Sequence, residues 1–290
     1  MFKTILVAAG TGTVGQHLAN RLLIAGHSVK IGTRRGGDAN TVLLDYSQAR
    51  TFEAALAGTD AAYLVVPTSA EPHLLLGPFV EAAARRGIKL VLQSALGVDA
   101  NDAIPLRQLE RQIESSGAPY AILRPNWFLD NFHGRWHAGI MELGRLALPA
   151  GDATTSLIDA RDIAEAAAIA LTQAVADGRA FNLTGPDSLG YAEAVAALAA
   201  ISGRTVTYEG VDEAQFKRES GRMKLAPALV EQMLPIFTAT RAGHFSQVTD
   251  DFSQLTGRPG RRLVDYLADN AWRFAVPVAQ NEVQRAAVSR

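Results

Sequence analysis

The chain has 290 residues and a mass of 30.9 kDa, with 48% hydrophobic and 20% charged residues and a formal net charge of -1. That composition excludes a disordered chain, no apolar run reaches the roughly 18 residues of a spanning helix, and the neutral balance supplies no global field toward nucleic acid or anionic lipid. Zero cysteines exclude disulfides, thiolate nucleophiles and Cys-based metal centres.

Met1-Phe2-Lys3 leads directly into an apolar run without the apolar core and cleavage site of a secretory signal, so a cytoplasmic protein is expected. Through residue 125 the chain alternates short apolar runs, at 4–8, 28–32, 41–44, 61–66, 89–92 and 120–123, with amphipathic helical stretches. Val14, Leu18 and Leu22 mark one helical face, and Leu109 and Ile113 another. Continuous rather than alternating apolar strands are buried on both faces, and strands separated by helices imply right-handed crossovers. The expected fold class is therefore α/β, a doubly wound parallel sheet of the Rossmann kind with a smaller C-terminal substrate lobe.

Beyond Pro125 comes a loop-rich aromatic stretch, 126–137, and then a segment, 148–171, that reads as one more strand and helix returning to the sheet. Asp162 suits the start of that helix. From 185 a turn precedes an Ala-rich helix with Ser188 as candidate N-cap, and further helices are expected near 225–242 and 260–273. The expected division is 1–184 for the dinucleotide-binding domain, with 131–153 contributing to a substrate cleft, and 185–275 for the smaller lobe. The stretch 276–290 lacks periodicity and reads as a disordered tail or a partner-binding arm.

The strongest chemical signal is Gly10-Thr11-Gly12-Thr13-Val14-Gly15, between the first strand and the first helix. A pyrophosphate needs a tight turn, a bare backbone for close approach and free amides at a helix N-terminus. About 20 residues on, where an NAD-binding protein offers Asp or Glu to the ribose 2′-hydroxyl, this chain has Thr33-Arg34-Arg35. A guanidinium pairs with a 2′-phosphate that a carboxylate would repel, so NADP(H) is preferred over NAD(H), the competing reading being a solvated surface Arg pair. The chain carries only five lysines against 23 arginines, and none of its six tyrosines has a Lys four residues later, so the usual ketone-reducing Tyr/Lys acid is absent.

Ser94 follows the fifth strand, where a doubly wound sheet presents side chains to its crevice, and is read either as a contact to nicotinamide or substrate or as a turn hydroxyl. His133 and His137 have metal-like spacing, but Gly134 lies between them and no third ligand is near in sequence, so no metal is expected. Asp159 and Asp162 are read as strand-end and helix-start residues rather than an acid/base dyad.

The runs "ILVAAGTGTVG", "GTDAAYLVVPTS", "KLVLQSALGVD", "ESSGAPYAILRPNWFLDN", "SLIDARDIAEAA", "FNLTGPDSLGYAEAV" and "QVTDDFSQLTGRPGRRLVDYL" together resemble the atypical short-chain dehydrogenase/reductases of the NmrA-like type. That group includes NADPH-dependent quinone oxidoreductases and triphenylmethane dye reductases, and the resemblance covers residues 3–274. It implies that the glycine loop binds the cofactor phosphates and that an Arg after the second strand takes the 2′-phosphate. By position it places Val66, Pro67 and Thr68, then Ser94 and Ala95, on the nicotinamide side, and Pro125, Asn126 and Phe128 at the cofactor–substrate junction.

Two positions depart from the group: Ala9 stands where its loop has the first glycine, and Leu106 where many relatives carry His or Lys. The expected activity is hydride transfer from NADPH to a small conjugated or aromatic acceptor, quinone-like by resemblance. Ser94 and Asn126 would orient the reactants, and Trp127, Phe128, Phe132 and Trp136 would supply stacking walls. Hydride addition to a quinone leaves a phenolate-like anion with a conjugate acid near ~10, so the missing Tyr/Lys pair is tolerable. The rival reading is a non-catalytic NADP(H)-sensing regulator of the NmrA-like type. A homodimer is an open expectation; nucleic acid and membrane are not expected partners.

Overall fold

The computed structural model describes residues 2–35, 40–67 and 71–275. Thr68 and the stretch 276–290 lie outside the described residues. In chain order the strands are β1 (Thr4–Ala8), β2 (Ser28–Thr33), β3 (Thr41–Leu43), β4 (Ala61–Val65), β5 (Lys89–Gln93), β6 (Tyr120–Pro125), β7 (Arg145–Leu148), β8 (Thr154–Thr155), β9 (Arg179–Leu183), β10 (Leu189–Gly190) and β11 (Thr207–Gly210). The α-helices are α1 (Thr13–Ile24), α2 (Phe52–Leu56), α3 (Pro72–Ala84), α4 (Pro105–Glu114), α5 (His137–Glu142), α6 (Ala160–Thr172), α7 (Tyr191–Ser202), α8 (Glu213–Ser220), α9 (Pro227–Arg241), α10 (Asp251–Thr256), α11 (Leu263–Asp269) and α12 (Ala271–Phe274).

The chain forms two compact units. Unit one comprises Met1–Asn126, Ile158–Thr184 and Thr249–Gly260. Its seven-stranded sheet runs β3-β2-β1-β4-β5-β6-β9, parallel throughout. The chain winds outward from β1 through β2 to β3, then returns to the other side of β1 with β4, so the strand order reverses between β1 and β4. This is the doubly wound, Rossmann-like fold that the continuous apolar runs imply. Ile5, Leu6 and Val7 and the residues Ala61 to Leu64 are fully buried, as strands covered on both faces must be.

Leu6, Leu64, Leu90 and Leu92 face Phe52 of α2, Leu76 and Phe79 of α3 and Leu109 and Ile113 of α4. Helices α1 and α6 pack on each other and on the sheet, the many alanines of α6 keeping its backbone close. Asp159 N-caps α6, accepting from the Arg161 amide at 2.7 Å, and Asp162 occupies its first turn.

The seventh strand differs from the sequence expectation. Segment 145–155 does not join the main sheet: β7 pairs with β11 and β8 with β10, both within unit two. The strand beside β6 is instead β9, which begins with exposed Arg179 and Ala180 and is interrupted by Asn182, so it escapes a search for apolar runs.

Unit two comprises Trp127–Leu157, Gly185–Val248 and the chain from Arg261. It is built of helices and two-stranded ribbons around an aromatic core that includes Phe132, Trp136, Tyr191, Phe216, Phe237, Tyr266 and Phe274. Helix α7 is N-capped by Gly190 rather than by Ser188, whose hydroxyl donates to Thr154 Oγ1 at 3.0 Å and so braces the β8–β10 ribbon.

Candidate cofactor site and its surroundings

Each of the three loop glycines meets a different steric demand. A Cβ on Gly10 would fall 2.8 Å from Ile31 Cγ2 on β2, and one on Gly12 would fall 3.2 Å from the Ala9 carbonyl oxygen. At Gly15 it would lie 2.3 Å from that oxygen and 2.8 Å from Gly10 Cα, both backbone atoms that cannot swing away. Ala9 itself sits in the left-handed region at φ 54°, and its carbonyl accepts from the Gly12 amide at 2.9 Å. The departure from glycine is thus absorbed as local backbone strain of about 1–2 kcal/mol, without opening the turn.

Gly12 is the N-cap of α1 and no side chain caps the helix, so its first-turn amides, at the positive end of the helix dipole, are not claimed by the protein's own side chains. Thr11 and Thr13 are exposed, whereas Val14 is buried and offers only its backbone.

At the end of β2 the Thr33 hydroxyl accepts from the Arg35 amide at 3.1 Å, and the side chains of Arg34 and Arg35 are exposed. Nearby Asp45 has its carboxyl held below the ordinary value, first by hydrogen bonds from Ser47 and least by the charge of Arg34. A bare cradle at an uncapped helix, with two exposed guanidinium groups at the next strand end, fits an anionic dinucleotide bearing a further phosphate.

The neighbouring strand ends complete this edge of unit one. Val66 and Pro67 follow β4, Ser94 and Ala95 follow β5, and Pro125 and Asn126 close β6. The Ser94 amide donates to Leu123 O at 2.7 Å and the Asn126 amide to Leu183 O at 2.9 Å, fixing both residues to adjacent strands. The buried Ser94 hydroxyl has no hydrogen-bond partner among the described residues.

In unit two, Trp127 is half-buried and stacks on Phe237 with centroids 5.3 Å apart. Phe128 is also half-buried, whereas Phe132 and Trp136 are fully buried and meet edge to face at 5.1 Å. His133 bonds through Nδ1 to the Tyr266 hydroxyl, with the two rings stacked, and His137 opens α5.

The model of the NmrA-like family matches residues 1–235 of the chain. The chain belongs to the NmrA-like family. It is 34% identical to a (4-alkanoyl-5-oxo-2,5-dihydrofuran-3-yl)methyl phosphate reductase of Streptomyces griseus, the match covering 93% of this chain and 99% of that one. An uncharacterised oxidoreductase of Bacillus subtilis is 35% identical, covering 92% and 95% of the two chains. An NAD(P)H azoreductase of Xenophilus azovorans is 29% identical over 93% and 99%.

Among solved structures, the fold is shared with an NADPH-dependent quinone oxidoreductase of Escherichia coli, crystallised with NADPH, at a TM-score of 0.80 and 22% identity over 91% and 99% of the chains. It is also shared with the negative transcriptional regulator NmrA bound to NADP, at 0.71 and 18% identity over 92% and 95%.

This NmrA-like chain also holds a buried charge network that periodicity alone does not reveal. Glu110 on α4 is wholly buried, and Arg124 on β6 clamps it through two bonds of 2.9 and 2.7 Å. Arg107 reaches the same carboxylate at 2.5 Å and Glu114 at 2.8 Å, while Arg124 also bonds Asp99 at 2.6 Å. Burial is the largest single influence on Glu110 and raises its pKa, but the bonds from Arg124 and Arg107 lower it and the carboxyl stays below its ordinary value.

The sequence signal was the spacing of Arg107, Glu110, Arg111 and Glu114 along one helix, together with an Arg inside the otherwise apolar run 120–125. Leu106, in the first turn of α4, packs half-buried against the apolar cluster of unit one.

Proposed function

We propose that the protein is an NADPH-dependent oxidoreductase that transfers hydride to a small conjugated acceptor. The observation that carries this reading is the glycine cradle at the uncapped start of α1, followed one strand later by the exposed Arg34-Arg35 pair. The amides of the first turn of α1 would hold the pyrophosphate, and Arg34 and Arg35 the 2′-phosphate. When bound, the cofactor supplies the hydride. Val66, Pro67, Thr68, Ala95 and Pro125 would flank the nicotinamide, and Ser94 and Asn126 would fix the strand ends that orient it.

Unit one is assigned to the cofactor, and half-buried Trp127 and Phe128 of unit two to stacking on a flat acceptor. Buried Phe132 and Trp136 would act one layer behind them, by holding the shape of that wall. Three reductases or oxidoreductases among the relatives support the class, and two of their named substrate types, an azo compound and an unsaturated lactone phosphate, are conjugated electrophiles. Reduction of such acceptors leaves a delocalised anion that water can protonate, so no Tyr/Lys acid is required. No helix among the described residues is long and apolar enough to cross a membrane. The location we propose is cytoplasmic. A homodimer is the assembly we propose for it.

The test is NADPH oxidation against a panel of quinones, enones and imines, beside direct NADPH titration. Turnover of at least one acceptor is expected. Micromolar NADPH binding with no turnover of any acceptor would sink the reductase reading and favour an NADP(H)-sensing regulator. Replacing Arg34 and Arg35 together by Ala should weaken NADPH binding about 10- to 100-fold while leaving NADH nearly untouched, the size expected for lost charge-assisted bonds.

A further inference from the structure

The tyrosines of unit two are 191, 208 and 266, and their hydroxyl groups are not treated alike. Tyr208 donates to Gly151 O at 2.8 Å and Tyr266 is bonded to His133, whereas the buried Tyr191 hydroxyl has no hydrogen-bond partner among the described residues. Tyr191 and Tyr208 are stacked with centroids 5.9 Å apart, so within one pair of rings one hydroxyl is satisfied and the other is not. Two further buried atoms share the condition of Tyr191, the indole Nε1 of Trp136 and Oγ1 of Thr155.

These three side chains belong together. Trp136 meets the Tyr191 ring edge to face at 5.6 Å, and the Thr155 hydroxyl is the neighbour that opposes the upward push of burial on the Tyr191 hydroxyl. None of the three is more than 2% exposed. Even a bond between the two hydroxyls would use only one of their O–H groups, leaving one O–H and the indole N–H to donate. Burying donors in this state costs free energy, and the same core is filled at Phe132, Phe216 and Phe237 by rings that carry none. Phenylalanine and valine would fill the space of Tyr191 and Thr155 without that cost. A surplus of buried donors is matched by a ligand atom that accepts.

The cluster also lies against the wall proposed for the acceptor. Ring contacts run from Trp127 to Trp136 at 6.2 Å, on to Tyr191 and then to Tyr208. Trp127 and Tyr208, at the two ends, are half-buried, so the donors lie one ring from a partly exposed side chain in either direction. Burial raises the Tyr191 pKa, which keeps that hydroxyl protonated, and a donor, at neutral pH.

We propose that Trp136 Nε1, Tyr191 OH and Thr155 Oγ1 form a donor seat for a carbonyl oxygen of the acceptor, so that the protein selects quinone- and enone-like acceptors over flat hydrocarbons of the same shape. The word acceptor rests on the reductase reading, and the word carbonyl on the unpartnered donors. Hydride addition at the conjugated carbon moves the π electron pair onto that oxygen, and donors already in place hold the resulting oxyanion more strongly than the carbonyl until water protonates it.

The experiment is calorimetric titration of the full chain, saturated with NADP+, with naphthoquinone and with naphthalene, which has the same two rings and no oxygen. The wild type should bind the quinone more tightly. Tyr191→Phe and Thr155→Val should each weaken quinone binding about 3- to 10-fold, as for loss of one neutral hydrogen bond, and leave naphthalene binding unchanged. Tyr191→Phe should also unfold at the same temperature as the wild type or higher, because its hydroxyl has no partner in the protein. Tyr208→Phe, which strands Gly151 O, should unfold at a lower temperature and keep the quinone preference.

An unchanged quinone preference in both Tyr191→Phe and Thr155→Val overturns the proposal, as does equal weakening of both ligands, which reports altered shape. A fall in unfolding temperature for Tyr191→Phe as large as that for Tyr208→Phe overturns it too, since the hydroxyl would then serve the fold. NADPH oxidation with the same quinone separates the seat from the reductase reading. Turnover with an unaffected preference leaves the reductase and removes the seat; a lost preference without turnover leaves the seat and removes the reductase. If the wild type binds neither ligand, the seat fails whatever the oxidation assay shows.

Discussion

The two units solve the problem of a core in different ways. Unit one buries aliphatic strands and alanine-rich helix faces, and holds charge inside as paired groups, the Arg124–Glu110–Arg107 network beside Asp162 on Arg258, Asp159 on Arg161 and Lys89 on Asp177. Unit two has two-stranded ribbons in place of a large sheet, and fills its interior with interlocking rings, among them Trp136 against Phe132 at 5.1 Å and Phe216 against Phe237 at 5.6 Å. A long parallel sheet satisfies its backbone through its own ladders and needs only well-shaped aliphatic cover. Two-stranded ribbons offer no such continuous face, and large rings provide much buried area from few residues. The regular unit carries the glycine cradle proposed for the phosphates, whose amides require a fixed strand-turn-helix, and the irregular unit carries the aromatic side chains proposed for the acceptor.

The sharpest way to break this comparison is to damage each core in its own currency. Trp136→Ala should cost about 3–5 kcal/mol of stability through the cavity it leaves, with the loss nearly independent of pH. Arg124→Met should cost a similar 3–5 kcal/mol by leaving Glu110 charged, buried and short of its main partner. The pH response tells them apart. Because the folded pKa of Glu110 lies below its ordinary 4.5, its contribution is fully present above that value and is lost as pH falls through the depressed folded value. Urea unfolding of the wild type should therefore show this acid-side loss, Arg124→Met should lack most of it, and Trp136→Ala should keep it. Equal acid-side curves for all three proteins would show that the network is not what ties α4 to β6.

A smaller effect is expected at the cradle. Gly15→Ala places a Cβ against the Ala9 carbonyl and should raise the Kd for NADPH by about 100-fold, or ~2.7 kcal/mol, in calorimetric titration, with retained far-ultraviolet dichroism. Unchanged affinity would mean that the loop does not meet the phosphates. Smallest of all, Ala9→Gly should stabilise the protein by about 1 kcal/mol, measured as a rise in the urea midpoint, by releasing the left-handed strain at φ 54°. No rise would show that the strain is relaxed elsewhere.

Much of unit one was legible in the chain. Six of its seven strands appear as apolar runs because a buried parallel strand must be apolar on both sides, and the cradle is visible because no other residue fits where Gly10 and Gly15 lie. The ninth strand escaped because Arg179 and Ala180 are exposed and Asn182 breaks the run, its pairing with β6 being a fact of register rather than composition. The burial of Phe132 and Trp136 could not be read either, since an aromatic beside polar residues looks the same whether it lines a surface or fills a core. Glu110 was hidden for a related reason: in the sequence it is one charge of an amphipathic helix, and only Arg124, fourteen residues away, makes it a buried one.

By itself, then, the sequence determined the strand-turn-helix cradle, the Arg pair after β2 and the parallel class of the main sheet, because each follows from rules acting within about 30 residues. Tertiary structure decided which short strands pair in which unit, which aromatics become core, and which charges are neutralised. Those outcomes depend on partners distant in sequence: β7 meets β11 and not the main sheet, and Arg145 finds Glu209 and Glu219.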